Sequence, residues 1–281
     1  MNHLLHIDGL RLRYPGVGFR RRMPEVLKGV SLHIEAGETL GLVGESGSGK
    51  TTVGRAVLGL ARATGGTITF DGQDITHLPA GRRRGDAREI QVVFQDPYTS
   101  LTPALQVRGI LTEPLIAQGI ARADAERRVS SLLDRVGLPK DSADRFAREF
   151  SGGQRQRIAI ARALALEPRL IVCDEPVSAL DLTTQSRVLD LLIELQRNTG
   201  VAYLFITHDL AVVRHISHRV AVMYQGEIVE TGPAATVTTH PQNDYTKRLL
   251  LAAPTADPEA QAERRAARQA LLRRTRTPAT T

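Results

Sequence analysis

The chain has 281 residues, enough for one large α/β domain or two small ones around a sizeable core. Hydrophobic residues at 42% and charged residues at 24% mark an ordinary globular chain, neither disordered nor membrane-embedded. Aromatic residues make up only 4%, with no Trp, which argues against a stacking platform for single-stranded nucleic acid. Of the net charge of +7, residues 254–281 supply +3 (six Arg against three acids), so the body is too mildly basic for a dedicated DNA-coating protein. Cys173 is the only cysteine, which excludes an internal disulfide and any zinc or iron–sulfur site built from cysteines of this chain. No apolar run approaches the roughly 18 residues that span a bilayer. The start lacks a basic segment followed by an apolar block, so a cytoplasmic location is expected, with any work at a membrane done by docking to another protein.

In chain order, residues 4–13 and 26–34 have strand character, separated by a loop that holds two Gly and the arginines at 20–22. Residues 40–43 form a short apolar strand running into a glycine-rich turn and then a helical stretch at 50–60. Residues 67–70 followed by Asp71-Gly72 read as a strand with a turn signal. A basic loop at 82–88 precedes a strand at 90–94. From 101 to 149 the pattern is helical, with Leu132, Leu133 and Val136 following Val129 at helical spacing and Gly137 ending the run. Next come a helix after Gly152, a buried strand at 170–173, a helix at 184–197, a strand at 202–206, and a final strand pair around Gln225-Gly226. Alternating strands and helices predict an α/β fold with a mainly parallel sheet. The helical stretch reads as an inserted subdomain of about 101–150. Residues 254–281 read as a basic Ala/Arg-rich tail.

Gly44-Glu45-Ser46-Gly47-Ser48-Gly49-Lys50-Thr51 fits G-x-x-x-x-G-K-[ST], between a strand and a helix as that motif requires. Its glycines let backbone N–H groups turn inward around phosphate oxygens, and the helix N-terminus adds partial positive charge. Lys50 can reach the β- and γ-phosphates and the Thr51 hydroxyl can ligate Mg²⁺; Thr52 belongs to the same nucleotide-binding set. The apolar strand 170–173 ends in Asp174-Glu175. Asp174 suits the Mg²⁺ shell, and Glu175 suits a general base facing a water in line with the γ-phosphate. Ser151-Gly152-Gly153-Gln154, ahead of a helix, reads as a second phosphate cradle more than a hundred residues after the first.

With these residues in place, nearly the whole chain resembles the ATP-binding subunits of ABC transporters. Phe150 to Gln154 looks like the signature motif of that family, with Phe150 where Leu is usual. The resemblance implies a P-loop core with an antiparallel β subdomain and an inserted helical subdomain, covering 1–253. It further implies subunits facing head-to-tail, each ATP lying between one phosphate loop and the opposite signature. Tyr14 then matches the aromatic that stacks on adenine, and Gln95 the glutamine that senses Mg²⁺ and the attacking water. Asp181, in Ser178-Ala179-Leu180-Asp181, matches the loop crossing the dimer interface, and His208 the histidine on the γ-phosphate.

Finer features resemble the peptide/nickel importer ATPases: Val93-Phe94-Gln95-Asp96-Pro97-Tyr98, Ser100-Leu101-Thr102-Pro103, Glu113-Pro114-Leu115, and His240-Pro241 with Tyr245-Thr246-Lys247 near the end. Departures are the Gln242-Asn243-Asp244 insertion, Ala147 where Pro is usual, and the lack of a C-terminal cysteine cluster. The implied role is an ATP- and Mg²⁺-dependent ATPase on the cytoplasmic face of the membrane. It powers import of peptide, or alternatively of nickel or another small solute. The implied partners are a second related ATPase, two permeases and an extracytoplasmic substrate-binding protein, with no nucleic acid. A soluble ABC-type ATPase acting on nucleic acid and a phosphotransferase are the competing classes. The signature motif and His208 have no evident role in a small-molecule kinase. The arginines at 20–22 and 82–84 could touch acidic permease loops or lipid headgroups, although such runs are more often solvated.

Overall fold

The computed structural model describes residues 3–14, 24–78 and 88–252. The arginine runs at 20–22 and 82–84 and the tail at 254–281 lie outside the described residues. Strands β1 (Leu5–Leu12) and β2 (Leu27–Ile34) bury one face and expose the other, and they pair antiparallel. β4 (Gly65–Phe70) pairs with the other edge of β1, and the short β5 (Gln73–Asp74) completes an antiparallel sheet ordered β2-β1-β4-β5. The Asp71-Gly72 turn has both residues at positive φ, 49° and 80°, the geometry a two-residue hairpin demands.

The second sheet is ordered β10-β9-β3-β8-β7-β6. Its strands β3 (Thr39–Val43), β6 (Ile90–Val93), β7 (Leu170–Asp174), β8 (Ala202–Thr207) and β9 (Arg219–Tyr224) run parallel. β10 (Glu227–Pro233) returns antiparallel on β9. β3 and β8 are buried along their whole length, as strands of a parallel sheet covered on both faces must be. Cys173, in β7, is fully enclosed. Between the sheets, Leu5, Ile7 and Leu10 pack with Leu40, Leu42, Leu204, Ile206 and with Val53 and Val57 of α1 (Lys50–Val57).

Between β6 and β7 the chain forms α2 (Pro97–Ser100), α3 (Val107–Ala117), α4 (Arg122–Arg135), two 3₁₀ turns and α5 (Gly152–Leu164). Val129, Leu132, Leu133 and Val136 are buried there in one cluster with Ile158 and Leu192, the latter from α6 (Leu182–Thr199). Arg155 ties this segment together. Its guanidinium donates to the carbonyls of Ala147 (2.9 Å) and Arg148 (2.7 Å) and lies 3.8 Å from the centre of the Tyr98 ring.

α1 stops short of the stretch expected at 50–60, because Gly59 turns the chain at φ 71°. Beyond β8, three helices were not anticipated, as α2 before residue 101 was not: α7 (Leu210–Ile216), α8 (Ala234–Thr239) and α9 (Asp244–Ala252). At seven, six and nine residues they are too short to show a helical period. Tertiary burial forms them: Leu210, Val213, Ala234, Val237 and Tyr245 cluster with Val43, Val220 and Val222 of the sheet.

Candidate functional site

The strand register gathers the site. Val43 pairs with Thr207, Asp174 with Ile206, and Val93 with Cys173, so the carboxyl ends of β3, β8, β7 and β6 lie along one edge. Ligands bind at such edges of parallel sheets because the loops there are free to vary while the strands fix their origins. Gly44–Gly49, His208, Asp174-Glu175 and Gln95 all leave from this edge.

The phosphate loop curls because Gly47 (φ 81°) and Gly49 (φ 110°) take left-handed conformations. Gly44 has no room for a side chain, since a Cβ there would meet the Met223 carbonyl. Lys50 is 4% exposed, and its Nζ donates to the carbonyls of Gly44 (2.8 Å) and Glu45 (2.9 Å). Among the described residues no carboxylate stands within ion-pair distance of it. Burial lowers its pKa, opposed by Glu175, Asp174 and Glu45. The Ser48 hydroxyl is buried with no hydrogen-bond partner. A buried ammonium with no carboxylate in direct contact and an orphaned hydroxyl on one loop fit a polyanionic ligand.

Thr51 Oγ1 donates to Asp174 Oδ1 at 3.0 Å. Burial raises the Asp174 pKa and Glu175 adds to the rise, while Thr51, Arg55 and Lys50 oppose it. This hydroxyl–carboxylate pair is the hard oxygen donor set that Mg²⁺ takes alongside phosphate oxygens. Glu175 holds its backbone at φ 49°, an unusual conformation for a non-glycine residue. Two bonds fix it: its N–H donates to the Ile206 carbonyl (2.9 Å), and its own carbonyl accepts from the Ser178 hydroxyl (3.1 Å). Its carboxylate lies 3.3 Å from His208 Nδ1, and His208 is about half exposed. Gln95 is exposed just past β6. Tyr14 is half-buried beside α1, its hydroxyl 3.3 Å from Thr52 Oγ1.

The other motif residues form a separate group. Ser151 caps α5: its hydroxyl accepts from the Gln154 N–H at 3.4 Å, and its N–H donates to Gln154 Oε1 at 3.0 Å. Asp181 caps α6 through Thr184, at 3.0 Å to the backbone N–H and 2.7 Å to the hydroxyl. Gly153 packs directly on Thr184, which joins the two helix starts. Ser151 and Asp181 are exposed. Their hydrogen bonds stay within their own helix starts, whereas the phosphate loop, Glu175 and His208 are joined through β7 and β8.

Two contacts on the loop were not foreseen. The Gly226 N–H donates to the Ser48 carbonyl (2.9 Å), and the Glu45 N–H donates to the Tyr245 hydroxyl (3.0 Å). Tyr245 lies in a motif quoted from the sequence, but nothing local to it marks a partner 200 residues away.

The fold and this edge define a P-loop nucleotide-binding domain. The residues present fit a nucleoside triphosphate with Mg²⁺. The ABC transporter family model matches residues 27–178, and the chain belongs to that family. The chain is 51% identical over 268 residues to the glutathione import ATP-binding protein GsiA of Salmonella typhimurium, covering 93% of this chain and 43% of that protein. It is 54% identical over 237 residues to GsiA of Escherichia coli K12, covering 84% and 38%. The chain thus spans less than half the length of these curated relatives. Among solved structures, cbiO1 from Clostridium perfringens, part of the ABC transporter complex cbiONQ, superposes with a TM-score of 0.76 at 26% identity, covering 89% of this chain and 96% of that one. The ATP-binding cassette MJ0796, dimeric in a post-hydrolysis state with ADP and Pi, gives 0.72 at 29% identity, covering 82% and 98%. Among the described residues no helix is long and apolar enough to cross a membrane.

Proposed function

We propose that this chain is the ATP-hydrolysing subunit of an importer that carries small peptides through partner permeases, seated on the cytoplasmic face of the membrane. One observation carries the reading: the buried Lys50 ammonium, with no carboxylate in ion-pair contact, shares a sheet edge with the Asp174–Glu175 carboxylates and His208. The peptide class is supported by likeness to glutathione import proteins, glutathione being a small peptide.

Lys50 leaves the Gly44 and Glu45 carbonyls to bind the β- and γ-phosphates, and the N–H groups of the loop and of the start of α1, those of Glu45 and Ser48 excepted, hold the remaining oxygens. Thr51, Asp174 and Gln95 would hold Mg²⁺, which when bound neutralises phosphate charge. Glu175 accepts the proton of the attacking water, and its fixed backbone keeps that carboxylate in place. His208 steadies the carboxylate and faces the γ-phosphate, while Tyr14 packs on the adenine. Ser151 to Gln154 and Asp181 serve the nucleotide of a second, related ATPase. This pairing is supported by the exposure of Ser151 and Asp181, whose hydrogen bonds stay within their own helix starts, and by the dimeric cassette with ADP and Pi. The complex comprises this heterodimer, two permeases and an extracytoplasmic binding protein. Residues 1–253 form the ATPase domain with its helical part at about 101–150, and 254–281 a basic tail. The exposed Tyr98, Leu105 and Phe146 of the helical part offer a permease an apolar surface.

Steady-state phosphate release tests the chemistry. Glu175→Gln should keep ATP binding and slow hydrolysis by about 10²–10⁴-fold. A rate within about threefold of wild type would remove Glu175 from that role. Mass measurement of the complex co-expressed with its permeases tests the pairing, and two copies of this chain without a second ATPase would overturn it.

A further inference from the structure

The outer side of the phosphate loop is held by the C-terminal elements. Gly226, in the β9–β10 turn, bonds the Ser48 carbonyl, and Tyr245 of α9 bonds the Glu45 N–H. Tyr245 is 5% exposed and packs against Tyr224 with ring centres 4.2 Å apart and the planes tilted by 36°. Burial raises its pKa, so the hydroxyl stays neutral and able to accept. α9 is itself anchored at its start. The Glu230 carboxylate of β10 accepts from the backbone N–H groups of Gln242 (2.7 Å) and Asn243 (3.2 Å), and the Asn243 side chain accepts from the Tyr245 N–H (2.8 Å). A continuous chain of bonds therefore runs from β10 through Glu230 and α9 to the peptide of Glu45. The other end of the same planar peptide unit, the Gly44 carbonyl, receives Lys50 Nζ at 2.8 Å.

We propose that Tyr245 is a positioning residue for the nucleotide site: its hydroxyl fixes the Glu45 peptide in the orientation that binds triphosphate, so the seating of α9 sets ATP affinity. Neither Tyr245 nor α9 touches the reacting atoms. The coupling runs both ways by thermodynamic linkage: a partner that shifts α9 weakens ATP, and ATP tightens α9.

The proposal rests on the reading of the loop as an ATP site, and its test separates the two. Tyr245→Phe keeps the ring and its packing and removes only the acceptor. One neutral hydrogen bond corresponds to about a 3–10-fold change. Tyr245→Phe should therefore raise the KM for ATP by that factor while kcat at saturation stays within about twofold. In the nucleotide-free protein, the Glu45 amide should exchange hydrogen faster in this variant, with exchange in α1 and β3 unchanged. Glu230→Ala frees the start of α9 and should raise KM in the same direction. Combined with Tyr245→Phe it should add nothing further, since both act through one bond. An unchanged KM with unchanged Glu45 exchange would overturn the proposal. So would KM effects of the two variants that add in full. A wild-type protein that does not bind ATP would overturn the site reading instead, and Glu45 exchange would still report on the Tyr245 bond.

Discussion

Gly153→Ala puts two opposing effects on one atom. An alanine in a helix is favoured over glycine by about 0.5–1 kcal/mol, because glycine loses more backbone freedom on folding. At Gly153, however, the added Cβ would fall on Thr184 Cγ2 well inside contact distance, on a residue fixed by two bonds to Asp181. Overpacking of this kind costs about 1–3 kcal/mol. The clash wins, and the variant should be less stable by about 1–2 kcal/mol, or about 2–8 °C in Tm. Thr184→Ser removes Cγ2 and keeps the hydroxyl that bonds Asp181. The next atoms facing the new methyl are then Thr184 Cβ at 3.6 Å and Oγ1 at 3.8 Å, ordinary contacts. In the Thr184→Ser background the same alanine should therefore be neutral or stabilising, so the effect of one substitution changes sign. Denaturant midpoints for the four proteins of the cycle, with m-values to confirm two-state unfolding, measure it. Equal destabilisation by Gly153→Ala in both backgrounds would refute the steric argument and leave backbone conformation as the cause.

Lys50→Ala should weaken ATP by about 10–100-fold, the range for a charge-assisted bond, and calorimetry with a non-hydrolysable analogue reads it. Asp174→Asn should raise the thermal stability of the nucleotide-free protein at neutral pH. The carboxyl has its pKa raised on folding, chiefly by burial, so its contribution is greatest at acid pH and is lost as pH rises through the folded-state value. The gain should vanish at acid pH, where Asp174 is protonated in both states. A melting curve showing the same difference at both pH values would contradict this cause. The same variant should lose Mg²⁺-dependent hydrolysis, a trade of function for stability.

The placement of the motif residues was the most legible part, because they lie in contiguous motifs whose backbone geometry is local. Gly47 and Gly49 announce the left-handed turns they adopt, and Asp71-Gly72 announces its hairpin. The strand ends at Asp174 and His208 were also readable, since a run of buried apolar residues stops where charge begins. The Thr51–Asp174 bond was not readable as geometry, because 123 residues separate its partners and only the sheet register brings them together. α7, α8 and α9 escaped notice because burial on the sheet edge, and not a repeating apolar face, makes them helices. The Tyr245 bond needed both: a helix invisible to periodicity, and a partner at the far end of the chain.

Cys173 has a practical consequence. It is fully enclosed in β7, and burial with the neighbouring Asp174 charge drives its thiol far from ionisation. The chain therefore presents no reactive sulfur to a maleimide or a spin-label reagent. A cysteine introduced at the exposed Leu60, outside the residues assigned to the nucleotide, would be this chain's sole site of attachment, with the native thiol left in place. One spin probe there and one on the second ATPase of the proposed pair would then report the spacing of the two subunits through each turnover, with no prior cysteine removal needed in this chain.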